Sequence, residues 1–190
     1  MVIPSQTTYK VAILDLYEGQ ANEGMRCIRA ILAEWSIKNN TPIQLDEFNV
    51  RQHLSVPSLD YDLYISSGGP GSPLDTVDTE WEAAYFNWLK KLEQWNNSST
   101  CFPKKQAFFI CHSFQLLCRH YEIGNVCKRK STSFGVFPVH MMEDGHHELI
   151  FNGLNDPFYC VDSRDYQVIE PNHEKIRALG GAILAIEKNR

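Results

Sequence analysis

The chain has 190 residues, of which 43% are hydrophobic, and this is enough for one domain with a buried core. Its net charge of −5, without a basic stripe, argues against nucleic acid as the main partner. No apolar run approaches the roughly 20 residues that cross a bilayer, and the first residues do not resemble a signal peptide. The six cysteines include no Cys-x-x-Cys pair, which is typical of reduced thiols. We therefore expect a cytoplasmic protein that does not span a membrane.

Strand and helix patterns alternate as far as residue 121. In chain order they predict a strand at 9–16, a helix from Asn22 to about Lys38, an edge strand at 42–48, a strand at 61–66, an amphipathic helix after Thr79, a strand at 105–110 and a helix at 112–121. Gly124 is predicted to end the last of these helices as a C-cap. This alternation is typical of βαβ units on a parallel sheet.

After Gly124 the apolar runs become short and are separated by turns. They predict strands at 134–142, 147–151, 158–162, 167–170 and 182–187, with a turn at 173–179. The expected fold class is therefore α/β: an open, mostly parallel sheet flanked by helices, with a C-terminal antiparallel extension. We expect one domain over residues 1–190.

Two loops of the predicted parallel sheet have residue types suited to chemistry, at the strand ends where open sheets bind ligands. The glycines of Gly68–Gly71 leave backbone N–H groups uncovered, so that loop could approach an anion closely. Cys111 stands at a strand-to-helix junction, where the helix N-terminus lowers a thiol pKa and offers N–H groups to an oxyanion. Each signal alone is also compatible with an ordinary tight turn or a core cysteine.

Together the two loops resemble a known family. Ser66-Ser67-Gly68-Gly69-Pro70-Gly71-Ser72-Pro73 is followed about 40 residues later by Ile110-Cys111-His112-Ser113-Phe114-Gln115, and then by Ser133-Phe134-Gly135-Val136-Phe137-Pro138-Val139. The combination resembles the class I glutamine amidotransferases, and within them the stand-alone, GMP-synthase-like branch. The resemblance implies a flavodoxin-like fold.

The resemblance also implies roles for five residues. Cys111 would attack the side-chain amide of glutamine, or of a related small amide, and release ammonia. The backbone N–H groups of Gly69 and His112 would form the oxyanion hole. Gln115 would help to hold the substrate, and Gly135 would line its pocket. No metal or cofactor is implied, and the ammonia would pass to a synthase partner.

The sequence departs from the family pattern at the strand-to-helix turn around Cys111, which we call the elbow, and again after it. Phe109 and Ser113 stand where the family has glycine, and Phe109 is expected to reshape or fill the pocket. The family's catalytic His and Glu come as His-x-Glu on a late loop, and no such loop precedes the end of the chain at 185–190. His146-His147-Glu148 has the spacing but lies too early, in a predicted solvated turn, and in Pro171-Asn172-His173-Glu174 the His and Glu are adjacent.

Two other charged segments are expected to be structural. Lys128-Arg129-Lys130 is predicted to be a solvated loop, because it is too short for an electrostatic footprint. Residues 162–165 are predicted to form a turn.

Three functions remain open on the sequence alone. The chain is a truncated amidotransferase-like enzyme with impaired glutamine hydrolysis, a short relative that serves as an inactive binding or interaction module, or a Cys hydrolase of another amide. Apolar edge surface left by missing strands would favour a homodimer.

Overall fold

Four parallel strands form the sheet of the first part of the chain. They are β1 (Tyr9–Asp15), β2 (Ile43–Asn49), β3 (Leu63–Ser66) and β4 (Gln106–Phe109), in the order β2-β1-β3-β4. The helices are α1 (Glu23–Lys38), α2 (Val50–His53), α3 (Glu80–Asn97) and α4 (His112–Tyr121). The predicted parallel α/β architecture is confirmed, with β2 at an edge as expected; the one-turn helix α2 was not predicted.

The computed structural model describes residues 8–188, which divide into two units at residues 117 and 118. The prediction of one amidotransferase-like domain over residues 1–190 stays a prediction. Among residues 8–188, no helix has the length and apolar character needed to cross a bilayer.

The core of the first unit lies around β1, which pairs with a strand on each side. Val11, Ala12, Ile13 and Leu14 are buried in succession, as expected of a strand covered on both faces. The predicted apolar face of α3 is also buried, and its members are Trp81, Tyr85, Trp88, Leu89 and Leu92.

Two long antiparallel strands dominate the second unit, where the sequence predicted several short ones. The strands are β5 (Asn125–Met141), β6 (Phe158–Ile169) and β7 (Ala185–Ile186), in the order β6-β5-β7, with a short helix α5 (His173–Ala178). The antiparallel extension is confirmed, and the strand predicted at 147–151 is wrong, since 3-10 turns occupy Asp144–His147 and Leu149–Phe151.

The structural roles predicted for two charged segments are wrong, because both lie in strands. Lys128-Arg129-Lys130 is part of β5, and the largely buried Arg129 donates from Nη1 to Gln167 Oε1 at 3.1 Å. Residues 162–165 are part of β6, where Asp162 Oδ2 accepts a hydrogen bond from Ser133 Oγ at 2.6 Å. These side chains are paired between β5 and β6, so the charged residues of these segments do not indicate loops.

The predicted bounds of α4 are confirmed, but the residue predicted to cap its C-terminal end is wrong. The residue in the left-handed conformation is Glu122 (φ 52°), and the N–H groups of Glu122 and Ile123 donate to the carbonyls of Arg119 and Cys118. This is a Schellman cap, which satisfies the last helical carbonyls. Gly124 is needed for space instead, because a Cβ there would lie 2.6 Å from Val168 Cγ1.

The predicted N-cap of α1 can be tested by mutation. Asn22 Oδ1 accepts a hydrogen bond from the Met25 N–H at 2.8 Å. Asn22→Ala should lower the free energy of unfolding by about 1 kcal/mol, the usual worth of such a cap, when measured by urea denaturation. Asn22→Asp keeps an acceptor in place and should stay close to wild type; an equal loss in both variants would contradict the capping role.

Candidate active site

The backbone turns sharply at Cys111, between the end of β4 and the start of α4. Cys111 is exposed and has φ of 51°, a left-handed conformation that costs a residue with a Cβ about 1–2 kcal/mol. Its carbonyl oxygen accepts the N–H of Gln115 at 3.0 Å, so Cys111 holds the cap position of α4. The thiol therefore stands at the positive end of that helix.

Ser113, one of the two departures from the family pattern, attaches this elbow to β3. Its hydroxyl accepts a hydrogen bond from the Ile110 N–H and donates one to the Ser66 carbonyl, both at 2.8 Å. The Ser66 carbonyl also accepts the Ile110 N–H at 3.0 Å. The side chain that replaces glycine thus binds the backbone at the ends of two adjacent strands.

Buried hydroxyl groups continue this network beneath the elbow. Ser66 Oγ lies 2.8 Å from Tyr85 Oη, and Tyr85 is fully buried. Burial raises the pKa of Tyr85, while its hydrogen bonds with Ser66 and Ser113 act in the opposite direction. Tyr85 therefore stays neutral, and the junction is held by uncharged hydrogen bonds.

The glycine loop after β3 lies directly against the end of β1. Ser67 Oγ accepts the Leu16 N–H at 2.9 Å and donates to the Gly68 carbonyl at 2.8 Å. A Cβ on Gly69 would lie only 2.6 Å from the Leu16 carbonyl oxygen, so no larger residue fits without moving the backbone. Gly71, by contrast, has open space around it but needs its φ of 83°.

Arg51, on α2, joins the glycine loop to the elbow and was missed by the sequence analysis. Its side chain is 5% exposed; Nη1 donates to the Pro70 carbonyl at 3.0 Å and pairs with Glu18 at 3.1 Å. Nη2 lies 2.8 Å from His112 Nε2. A guanidinium group only donates, so Nε2 accepts, and His112 is neutral with its proton on Nδ1.

Tyr17, which follows β1, also lies at the site and was missed. A Cβ on Gly68 would lie 2.8 Å from Tyr17 Oη and 3.6 Å from Cys111 Cβ, so the hydroxyl and the elbow face the same point. The signal for Arg51 and Tyr17 was only positional, because each follows a parallel strand at its carboxyl end.

The other predicted site residues fall in different places. Gln115 is buried one turn into α4, after Cys111. Gly135 lies in β5 of the second unit, where a Cβ would meet the Phe137 ring at 3.1 Å. Phe109 is half-buried at the end of β4, paired with Ser66. Their roles toward a substrate stay predictions.

The His-x-Glu spacing occurs twice in the described chain. His146 and Glu148 are exposed in and after a 3-10 turn, as predicted, and His146 Nε2 lies 3.5 Å from Asp156 Oδ2. His120-Tyr121-Glu122 has the same spacing, which the sequence analysis passed over, at the opposite end of α4 from Cys111. Within residues 8–188, no three His, Cys, Asp or Glu side chains are grouped to hold a metal ion.

The structure is similar to solved structures of glutamine amidotransferases. A glutamine amidotransferase from Thermotoga maritima has a TM-score of 0.63 at 15% identity over 86% of this chain and 64% of its own. For one from Methylobacillus flagellatus the values are 0.59, 14%, 87% and 59%. The glutaminase domain of Trypanosoma brucei CTPS with bound acivicin gives 0.65, 14%, 93% and 74%.

At 14–15% identity these similarities concern the fold alone, and they confirm the predicted fold class. The chain spans less than two thirds of the length of the first two structures. No protein-family model matches the sequence, and no curated protein matches it.

The close approach at Gly69 predicts the effect of adding one methyl group. Gly69→Ala should lower the free energy of unfolding by about 3 kcal/mol, the upper end of the usual cost of overpacking. The atom that the new methyl group would meet is the Leu16 carbonyl oxygen, which belongs to the backbone and cannot rotate away. Gly71→Ala in the same loop should cost about 1 kcal/mol, from its positive φ alone. Urea denaturation of both variants gives the comparison, and an equal cost would contradict the steric argument.

The contacts of Arg51 predict that neither its charge nor its shape is dispensable. Arg51→Met should lower the free energy of unfolding by about 1.5–3 kcal/mol, since the Pro70 carbonyl, Glu18 and His112 Nε2 lose a charged donor. Arg51→Lys keeps the charge without the two-pronged geometry, so it should recover part of that loss. The same denaturation series measures both, and a wild-type value for the Met variant would refute the linking role.

Proposed function

We propose that this chain is a class I glutamine amidotransferase-like protein of the GMP-synthase-like branch, with Cys111 as its nucleophile. The observation that carries the proposal is the exposed, left-handed Cys111 at the cap of α4, facing a loop in which Gly69 has no room for a side chain. The similarity to solved amidotransferase and glutaminase structures supports the same conclusion at the level of fold.

The proposed reaction hydrolyses the side-chain amide of glutamine in two steps. The Cys111 sulfur bonds to the amide carbon, the carbon–nitrogen bond breaks, and ammonia leaves with the proton that the thiol gave up. Water then attacks the γ-glutamyl thioester, which releases glutamate and restores the thiol. The oxyanion formed in each step is stabilised by the N–H groups of Gly69 and His112, while Gln115 helps to hold the substrate.

The attachments of the two donor segments support this oxyanion hole. Gly69 is fixed by its packing on Leu16, and the His112 side chain is fixed by Arg51, which also binds the Pro70 carbonyl. Donors that are already in place need no reorganisation when charge develops on the substrate, and this is the main source of their effect on rate.

We propose that turnover by this chain is impaired, because the thiol needs a proton acceptor and the family's late His-x-Glu loop was not recognised in the sequence. A cytoplasmic location, a synthase partner that accepts ammonia and a homodimer belong to the same proposal. An inactive binding module and a Cys hydrolase of another amide are the alternatives.

Turnover and covalent labelling of the purified chain test the proposal. We expect slow ammonia release from glutamine that falls by about 10³-fold or more in Cys111→Ser, since the nucleophile is lost, and is unchanged in Cys27→Ser. A glutamine analogue with a chloroketone in place of the amide should label Cys111, and glutamine should slow that labelling. Burial raises the pKa of Cys118 to about 12, so Cys118 should not react at pH 7.

The outcomes separate the alternatives. Labelling of Cys111 without any ammonia release would favour the inactive binding module. Labelling of the exposed Cys27 but not of Cys111 would overturn the nucleophile assignment. Release of ammonia from another amide, with none from glutamine, would favour the Cys hydrolase.

A further inference from the structure

Tyr17 has its ring in the core and its hydroxyl at the candidate site. The ring packs against the cluster formed by Val11, Ile13, Met25 and Ile65. The Tyr17 N–H donates to Asp15 Oδ1 at 2.8 Å, which fixes the backbone where it leaves β1. A side chain anchored in this way has little freedom to move its hydroxyl.

Two glycines make room for that hydroxyl. A Cβ on Gly68 would lie 2.8 Å from Tyr17 Oη, and a Cβ on Gly24 would lie 2.7 Å from it. Gly24 is in the first turn of α1, where glycine is a weaker helix former than alanine. Both the loop and the helix therefore have glycine where the phenolic oxygen sits.

The Tyr17 hydroxyl is placed to donate a hydrogen bond to the sulfur of Cys111. Cys111 Cβ, which carries Sγ, lies 3.6 Å from the same point beside Gly68 that Tyr17 Oη approaches. In the described residues, the Tyr17 hydroxyl makes no hydrogen bond within the protein. It can therefore donate to an acceptor that forms on the sulfur.

Burial, together with the charges around it, keeps Tyr17 protonated. Burial, then the negative charges of Cys111 and Asp15, raise the pKa of Tyr17 above its ordinary value. The other charged groups at the site, Glu18 and Arg51, pair with each other, and Arg51 also binds the neutral His112. A phenol with a raised pKa remains a hydrogen-bond donor at neutral pH.

We propose that Tyr17 is a positioning residue for the nucleophile, whose hydroxyl donates a hydrogen bond to the Cys111 thiolate and so favours loss of the thiol proton. This rests on the proposed role of Cys111. A hydrogen bond that is made only to the charged form lowers the pKa of the group that accepts it, and bonds to ions are stronger than neutral ones. The chain thereby stabilises the reactive form of the thiol from within the first unit.

The pH dependence of alkylation tests the proposal. Iodoacetamide modification is followed at the Cys111 peptide by mass spectrometry between pH 5 and 10. Tyr17→Phe should raise the apparent pKa of Cys111 by about one unit and slow alkylation at pH 7 about tenfold, with an unchanged limiting rate at high pH. Tyr61→Phe is the matched control, because the Tyr61 hydroxyl binds Asp46 instead. Superimposable profiles for wild type and Tyr17→Phe would overturn the proposal.

A reciprocal measurement does not depend on the folding of the Phe variant. With tyrosines labelled at the ring carbon that bears oxygen, NMR follows the ionisation of Tyr17 in wild type and in Cys111→Ser. Removal of the thiolate should lower the pKa of Tyr17, and an unchanged value would overturn the proposal. Neither experiment needs glutamine, so a failure to hydrolyse glutamine leaves both tests valid.

Discussion

The close packing of the glycine loop on the end of β1 is the constraint on which the candidate site depends. Gly69 contacts the Leu16 carbonyl so closely that its Cα has room only for hydrogen, and Ser67 Oγ accepts the Leu16 N–H. The next strand end holds the elbow, because the Ser66 carbonyl accepts hydrogen bonds from Ile110 and Ser113. The positions of the loop and of Cys111 thus follow from contacts with backbone groups at the ends of three adjacent strands.

The junction is held by neutral hydroxyl groups beneath the elbow and by one arginine. Beneath the elbow the buried groups are hydroxyls, Tyr85, Ser66 and Ser113, which satisfy each other without ionising. The cation at this junction is Arg51, which is itself buried and whose planar group has enough donors to reach Glu18, the glycine loop and His112 together. The hydroxyl groups beneath the elbow stay neutral, and the buried guanidinium group of Arg51 is paired with Glu18, which offsets the cost of burying its charge.

The sequence predicted the first unit well because its strands are buried on both faces or alternate clearly. The continuous apolar run of β1 and the helical spacing of the aromatic residues in α3 can both be recognised in a single sequence. β5 and β6 pair with each other and include charged residues that suggested loops: the side chains of Arg129 and Asp162 have partners on the opposite strand. Gly124 was assigned to a cap by its residue type, while its real constraint is the distant Val168.

Residues of the candidate site were proposed from the sequence where a motif exists in one stretch of chain and were passed over where no such motif exists. Cys111 and Gly69 lie in recognisable loops, whereas Arg51 and Tyr17 are single residues brought there by the crossing of strands. Ser113 shows how a departure from a family pattern can be compensated. Its hydroxyl accepts a hydrogen bond from the Ile110 N–H and donates one to the Ser66 carbonyl, and a glycine at this position could make neither bond with a side chain. This substitution alone is therefore a poor argument for loss of the elbow. What separates an amidotransferase from an inert scaffold is then the proton acceptor, because the thiol needs one for every turnover.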